Sequence, residues 1–220
     1  MRILMKSMMA GALVSLAAVV APGSSNAVPC GSSTLDVWLV SGFSCTVGDK
    51  TFSNFSYTQD GFNGTLGRSN VPATSVGVGP SVLTTAGPGL QFNANWQNTG
   101  TTSADAVIGF DVTAPANTPI ADFHLLLNGL VGSVLDVATL NPIGVTLSSS
   151  DNLEHAISFA PVTFLHVTDD IGVNPGGSVS ILDKQFSEIP GPVVGAGLPG
   201  LVMACGGLLG LARRRRRRTA

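Results

Sequence analysis

The chain has 220 residues and a formal net charge of −2, with 44% hydrophobic and only 11% charged residues. Its basic residues lie mostly at the two ends, whereas residues 28–188 contain thirteen acidic residues and only three basic ones. A basic terminal cluster beside an acidic body forms no nucleic-acid recognition surface, so no nucleic-acid partner is expected. The same division argues against an ordinary cytosolic protein.

Residues 1–27 have the layout of a secretory signal peptide. Arg2 and Lys6 precede an apolar run over residues 8–20, and Pro22-Gly23 then breaks the helix. Ser25-Asn26-Ala27 places small residues where signal peptidase reads the chain, so cleavage is expected after Ala27. An uncleaved anchor is the alternative, and it is disfavoured because the apolar run is too short to span a bilayer.

Cys30 and Cys45 are the two cysteines of the body, residues 28–188. In an exported protein an even pair predicts a disulfide. Closing a loop of about 15 residues would stabilise the fold by roughly 3 kcal/mol in the chain-entropy model. A metal or redox pair is the alternative, but the chain has no Cys-x-x-Cys spacing and no histidine nearby.

The body is predicted to be all-β, because apolar and polar residues alternate in several short segments. The clearest alternation lies in 90–96, 105–112 and 123–127. Further strands are expected near 35–40, 51–57, 143–148, 155–160, 162–168 and 178–186, and turn dipeptides such as Asn128-Gly129 separate many of them. Eight or nine strands predict a single β-sandwich over residues 28–188, of jelly-roll or immunoglobulin-like type. A β-solenoid is disfavoured because the sequence has no fixed repeat period.

The chain carries no recognised catalytic motif: the metalloprotease, nucleophile-elbow, phosphate-loop and dinucleotide patterns are all missing. His124, His155 and His166 lack the spacing of metal ligands and are interpreted as structural. Asp169-Asp170, with Asp151 and Glu154, offers oxygen atoms of the kind calcium prefers, but in the absence of a calcium-loop motif they are interpreted as solvated turn carboxylates. We therefore expect a protein that is not an enzyme, with no catalytic residue, no metal and no cofactor.

The C-terminal segment, residues 189–218, predicts a membrane passage. Residues 190–212 carry no charge, and their number meets the roughly 20 residues needed to cross a bilayer core. A cluster of arginines follows at once and is expected to stay on the cytoplasmic side as a stop signal. These are Arg213, Arg214, Arg215, Arg216, Arg217 and Arg218. The body would then lie outside the membrane.

Three parts of this tail together resemble a PEP-CTERM sorting signal: Ile189-Pro190-Gly191-Pro192, the glycine-rich apolar stretch 193–212, and the terminal arginines. Gly191 stands where that signal usually has glutamate, which makes the motif a Pro-Gly-Pro variant. The segment 45–57 also resembles a stretch that recurs near the N-terminus of exported PEP-CTERM proteins. The resemblance implies a Gram-negative exported protein that is held transiently in the inner membrane and cleaved near Pro190 and Pro192 by an exosortase-like enzyme.

We therefore expect a non-enzymatic protein of the cell surface or extracellular matrix, with the exosortase-like enzyme and the membrane as its partners in transit. The alternative is a carbohydrate-binding module for exopolysaccharide, with Trp38, Trp96 and Tyr57 as candidate stacking residues. Trp96 shares an apolar strand face with Phe92, which favours the core. A hydrolase is a third hypothesis, and it would need two carboxylates that converge in a cleft.

Overall fold

A computed structural model describes residues 28–81 and 87–188, which form two packed β-sheets. The predicted signal peptide and the sorting segment from Pro190 onward, including Gly191, Pro192 and the arginines, lie outside the described residues. In the part of the chain that is described, no helix has the length and apolar character needed to cross a bilayer.

Thirteen strands and one short helix make up the described ranges, together with a single 3₁₀ turn at Ala73–Ser75. In chain order they are β1 (Val28–Pro29), β2 (Ser33–Thr34), α1 (Leu35–Trp38), β3 (Ser44–Val47), β4 (Lys50–Asp60), β5 (Gly77–Pro80), β6 (Gly89–Asn98), β7 (Ala104–Thr113), β8 (Ile120–Asn128), β9 (Val134–Asn141), β10 (Val145–Ser149), β11 (Glu154–Val162), β12 (Phe164–Val173) and β13 (Gly177–Glu188).

The strands form a seven-stranded sheet in the order β1-β3-β4-β7-β12-β9-β10 and a six-stranded sheet in the order β11-β8-β13-β6-β5-β2. Every pairing is antiparallel except that of β1 with β3. From β6 onward the pairing is nested, since β6 pairs with β13 and β7 pairs with β12. Strands that are distant in sequence therefore lie next to each other in the centre of each sheet. The all-β sandwich prediction is confirmed.

The core lies between the sheets and follows from the alternation of the strands. The inward residues of β6, β7 and β8 are fully buried and include Phe92, Phe110 and Phe123. With Phe52 and Phe186 they form a chain of ring contacts, with centroids 5.3–6.3 Å apart. Each buried ring removes about 150–250 Å² of surface from water, so this aromatic layer is a major source of stability.

The N-terminal edge differs from the prediction of a strand over 35–40. Residues 35–38 form the single-turn helix α1, because Leu35 and Trp38 are both buried while Asp36 and Val37 between them are exposed. That i, i+3 spacing places both apolar side chains on one helical face. The predicted disulfide is confirmed: Cys30 and Cys45 are bonded, with their Cα atoms 4.8 Å apart. It fastens β1 to β3 at the edge of the seven-stranded sheet.

Asp169 and Asp170 were expected in a turn after a strand ending near 168, and this expectation is wrong. Both residues lie inside β12, which continues to Val173 because it pairs along its full length with β7 and over eight residues with β9. Asp169 is fully buried and Asp170 is exposed, as alternation along a strand requires. Strand β9 was not predicted, because Asp136 interrupts its apolar positions.

Candidate binding face on the seven-stranded sheet

The outer face of the seven-stranded sheet carries a polar cluster at one end of its central strands. His166 on β12 lies opposite Asp111 on β7 and opposite Asn141 on β9. Its Nδ1 is 2.6 Å from Asp111 Oδ1, and the Asn54 side-chain amide donates to Asp111 Oδ2 at 2.6 Å. One carboxylate therefore holds an imidazole from one side and an amide from the other.

Asn54 reaches this position because β4 is bulged. The register of β4 against β7 shifts between Ser53 and Ser56, and Asn54 adopts a left-handed backbone with φ of 53°. Asparagine tolerates this conformation better than most residues, and a bulge commonly redirects a side chain. Gly109 on β7 allows the bulged strand β4 to pack closely against it, since a Cβ at Gly109 would lie 2.3 Å from Ser56 Oγ.

An exposed aromatic ring lies beside this cluster. Phe164 precedes His166 by two residues on β12, so both side chains belong to the same sheet face, about 7 Å apart along the strand. Its side chain is 44% exposed, and it is the one aromatic residue among the exposed large hydrophobic residues that the structure describes. We call Asn54, Asp111, Asn141, Phe164 and His166 the outer-face cluster.

The opposite end of the same face is acidic. Asp60 lies directly opposite Asp105, and Asp170 is nearby on β12. The pKa of Asp170 is raised, first by partial burial and then by the charges of Asp105 and Asp169. This end repels anions, whereas the end that holds Phe164 presents hydrogen-bonding groups around an apolar ring.

The aromatic residues that sequence reasoning proposed for sugar stacking do not form a platform. Trp38 and Trp96 are 2% and 0% exposed, and both belong to the core. Tyr57 is half-buried, and its hydroxyl donates to the Val71 carbonyl at 2.7 Å. A groove of about 560 Å³ beside Trp38 and Phe43 is lined by apolar, glycine and serine residues with the disulfide, and no ionisable side chain lines it.

The other two predicted histidines also pair with carboxylates, but they lie elsewhere. His124 Nδ1 is 2.6 Å from Glu154 Oε1 on the outer face of the six-stranded sheet, and His155 Nε2 is 2.8 Å from Asp151 Oδ1. Asp122, which shares a strand face with His124, accepts a hydrogen bond from the Ser187 hydroxyl. In the described ranges, no group of three or more His, Cys, Asp or Glu side chains could hold a metal ion.

The arrangement offers little for hydrolysis. Within the described residues, His166 has Asp111 as its hydrogen-bonding partner and contacts no serine, threonine or cysteine hydroxyl or thiol that could act as a nucleophile. Asp136 and Asp169 do converge, but both are fully buried, so a substrate cannot reach them. What the outer-face cluster can do is bind, through an apolar ring flanked by donors and acceptors.

Comparison with known proteins gives a limited result. No family model matches the chain, and no curated protein matches it. Among solved structures it is similar to a family 61 carbohydrate-binding module in complex with β-1,4-galactotriose, at 12% identity and a TM-score of 0.38, over 62% of this chain and 90% of that one.

It is also similar to a family 11 carbohydrate-binding module from Clostridium thermocellum in complex with a β-1,3-1,4-mixed-linked tetrasaccharide, at 15% identity and a TM-score of 0.31, over 75% and 98% of the two chains. The family 11 module of the cellulosomal cellulase Lic26A-Cel5E of the same organism gives 14% identity and a TM-score of 0.29, over 76% and 96%.

Sequence reasoning missed four members of the outer-face cluster. His166 was interpreted as structural, and Asn54, Asp111, Asn141 and Phe164 were not proposed as site residues. Alternation along β12 would have placed Phe164 beside His166, since they are two residues apart and therefore point to the same face. The contributions of β4, β7 and β9 depend on register between distant strands, which one sequence does not reveal.

Proposed function

We propose that this protein is a non-enzymatic polysaccharide-binding module, and that the outer-face cluster is its binding site. The observation that carries the proposal is the exposed Phe164 ring beside the Asn54–Asp111–His166 hydrogen-bonded group. An aromatic ring stacks on the apolar face of a sugar, and carboxylate, amide and imidazole groups bind its hydroxyls. Asp111 accepts only two contacts here, which leaves lone pairs for a ligand.

The charge of the body restricts the ligand class. Residues 28–188 hold thirteen acidic and three basic residues, and three carboxylates share this face with the cluster. Like charges repel, so a neutral polysaccharide fits the face better than an anionic one. Exopolysaccharide of the cell's own matrix is the setting in which an exported protein would meet such a ligand.

Titration calorimetry with neutral and acidic soluble polysaccharides tests the proposal. We expect binding of a neutral polymer, and a loss of about tenfold or more in affinity for Phe164→Ala and for His166→Ala. His124→Ala is the matched control, because His124 also contacts a carboxylate at 2.6 Å but lies on the other sheet. Equal losses in all three variants, or no binding of any polymer by the folded protein, would contradict the proposal.

We further propose that the sandwich is a jelly roll. Eight consecutive strands, β6 to β13, form the two four-stranded groups β6-β13-β8-β11 and β7-β12-β9-β10. Nested pairing of first with last strands is the arrangement of two interlocked Greek keys, which supports the jelly-roll alternative over the immunoglobulin-like one. In this arrangement the cluster lies on the outer side of the group that contains β7 and β12.

Export and sorting remain proposals from the sequence. We propose that residues 1–27 direct secretion and that an exosortase-like enzyme processes the tail at Pro190-Gly191-Pro192 after transient anchoring in the inner membrane. The protein would then reach the cell surface or the matrix. Deleting Arg213–Arg218 should prevent tail removal or release, as followed by intact mass of the surface-exposed protein. Unchanged display and processing in that variant would contradict the sorting proposal.

A further inference from the structure

A lysine and two aspartates meet in the buried interior between the two sheets. Lys184 belongs to β13 of the six-stranded sheet, whereas Asp136 and Asp169 belong to the neighbouring strands β9 and β12 of the other sheet. All three side chains are 0% exposed. Lys184 Nζ is 2.5 Å from Asp136 Oδ2 and 2.8 Å from Asp169 Oδ1. We call these residues the inter-sheet triad.

The surroundings of the triad are apolar. Lys184 lies between Leu125 on β8 and Leu90 on β6, and both are fully buried. Ile171 lies opposite Asp136, and Ala138 lies opposite Asp169, on the facing sheet. Burying charges in such a medium costs several kcal/mol per ion unless hydrogen bonds satisfy every remaining polar atom.

The triad does not meet that condition. Asp136 Oδ1 and both oxygens of Asp169 lack a hydrogen bond of good geometry, although Asp169 lies within interaction distance of both Asp136 and Lys184. One ammonium also faces two carboxylates, so the triad carries a surplus negative charge unless one carboxyl keeps a proton. Burial first, and the charge of Asp169 second, raise the pKa of Asp136 well above its usual value.

A neutral triad needs one carboxyl to keep a proton, and burial together with the charge of Asp169 favours the proton at Asp136, which contacts Lys184 Nζ. Burial by itself lowers the pKa of Lys184, but the two aspartates outweigh it and the pKa is raised, so the resting amine is an ammonium. Its conversion to a nucleophile requires a proton acceptor within reach. Asp169, 2.8 Å away, occupies that position.

We propose that Lys184 Nζ forms an amide bond with Cγ of Asp136 in the folded protein, so that a covalent cross-link joins the two sheets. The ammonium transfers a proton to the Asp169 carboxylate, and the neutral amine attacks Cγ of the Asp136 carboxylic acid. The C–O bond of the resulting tetrahedral carbon breaks, and its oxygen leaves as water with one proton from the carboxyl and one from nitrogen.

The reaction balances within the triad. One ammonium, one carboxylic acid and one carboxylate become one secondary amide, one water molecule and one protonated Asp169, with no oxidant or other reactant. Two buried charges disappear, which removes the desolvation cost that the ion pair imposes. Fixing the reacting groups in contact also replaces a bimolecular encounter, an advantage of many orders of magnitude in effective concentration.

Peptide mapping of the full chain tests the cross-link directly. Between Arg68 and Arg213 the sequence has one site for trypsin, after Lys184. An acylated Lys184 is not cleaved, so we expect a fragment that begins at Ser69, continues past Lys184, and is lighter by one water molecule. Chymotrypsin cleaves at Phe159 and Phe164 between the two partners and should yield two peptides joined through Asp136 and Lys184.

Lys50 provides the matched control. It is equally buried and also contacts two carboxylates, but we expect normal cleavage after it and an unchanged cross-link in Lys50→Arg. Lys184→Arg keeps the positive charge but should have its full unmodified mass, because no amide forms and no water is lost. Asp169→Asn lacks the proton acceptor and should also have its unmodified mass. Circular dichroism should show that both variants are folded. A folded wild-type chain of unmodified mass, with full cleavage after Lys184, would overturn the proposal. So would a cross-link mapped to Asp169.

Discussion

Two buried lysines of this sandwich each contact two carboxylates, but the carboxylates are partly exposed at one site and fully buried at the other. Lys50, at the start of β4, contacts Asp49 at 2.7 Å and Glu188 at 2.5 Å, and those carboxylates are 32% and 27% exposed. Lys184 contacts Asp136 and Asp169, which are both 0% exposed. We call the first group the rim triad, since it closes the end of the sandwich where β4 and β13 meet.

Solvent access shifts the aspartate pKa values of the two triads in opposite directions. At the rim, partial burial raises the pKa of Asp49, but hydrogen bonds from Lys50 and Thr118 outweigh it, so the pKa is lowered and the carboxylate stays charged. In the interior, burial first and the charge of Asp169 second raise the pKa of Asp136, which favours its protonated form. A carboxylate is a poor target for an amine, whereas a neutral acid is a possible one. The depth of the aspartate, rather than the residue types in contact, therefore sets the direction in which its pKa moves.

Removing the lysine should separate the two triads most clearly. We expect Lys184→Met to lower the free energy of unfolding by about 3–5 kcal/mol, because Asp136 and Asp169 are then buried with neither the ammonium nor the proposed amide to compensate them. Lys50→Met should cost about 1 kcal/mol or less, since water solvates Asp49 and Glu188. Urea denaturation of both variants measures the difference. A larger loss in the free energy of unfolding for Lys50→Met than for Lys184→Met would contradict the view that the interior carboxylates depend more strongly on their lysine.

Removing the disulfide tests how much the edge of the seven-stranded sheet depends on the bond between Cys30 and Cys45. Replacing Cys30 and Cys45 together by serine should cost roughly 3 kcal/mol in the chain-entropy model, since the bond closes a loop of 15 residues. The loss should be confined to stability, because neither cysteine belongs to the outer-face cluster, which lies on β4, β7, β9 and β12. Thermal unfolding gives the stability change, and polysaccharide binding at a temperature where the variant is folded should be unaltered.

The sequence predicts the alternating strands well and the charged core poorly. Phe92, Phe110 and Phe123 follow the period of two, and their burial confirms the strands that contain them. Asp136, Asp169 and Lys184 occupy inward positions where that rule expects apolar side chains, so each one weakened the pattern of its own strand. Their mutual contact depends on pairing between β9 and β12 and on packing against β13, and local composition contains no information on either.

The same reason explains the outer-face cluster. Alternation along β12 links Phe164 to His166, but Asp111 and Asn54 join them only through the register of β7 and a bulge in β4. Register follows from which faces are buried across the whole sheet, and a shift of one residue would turn Asp111 inward. Binding sites on sheet faces are therefore harder to find in one sequence than sites built from a contiguous motif.

The acid side of the stability profile should come from the rim and from surface carboxylates, and not from the interior. The folded pKa of Asp49 lies below the ordinary aspartate value of 3.8, so its contribution to stability is present above that pH and is lost as the pH falls through the folded pKa. Asp136 has the opposite sign, since a raised folded pKa favours the protonated fold at low pH, and an amide at this position would not titrate at all.

We expect Asp49→Asn to remove part of the acid-induced loss in unfolding free energy, by at most about 1 kcal/mol because the group is partly solvated. Asp122 and Asp151, whose pKa values are also lowered, continue to titrate in this variant, so the flattening is partial. Chemical denaturation at a series of pH values from neutral downward measures the effect. If the unfolding free energy of Asp49→Asn falls at low pH as steeply as that of the wild type, the contact between Lys50 and Asp49 contributes nothing to stability. The contrast between the two lysines would then depend on the interior triad alone.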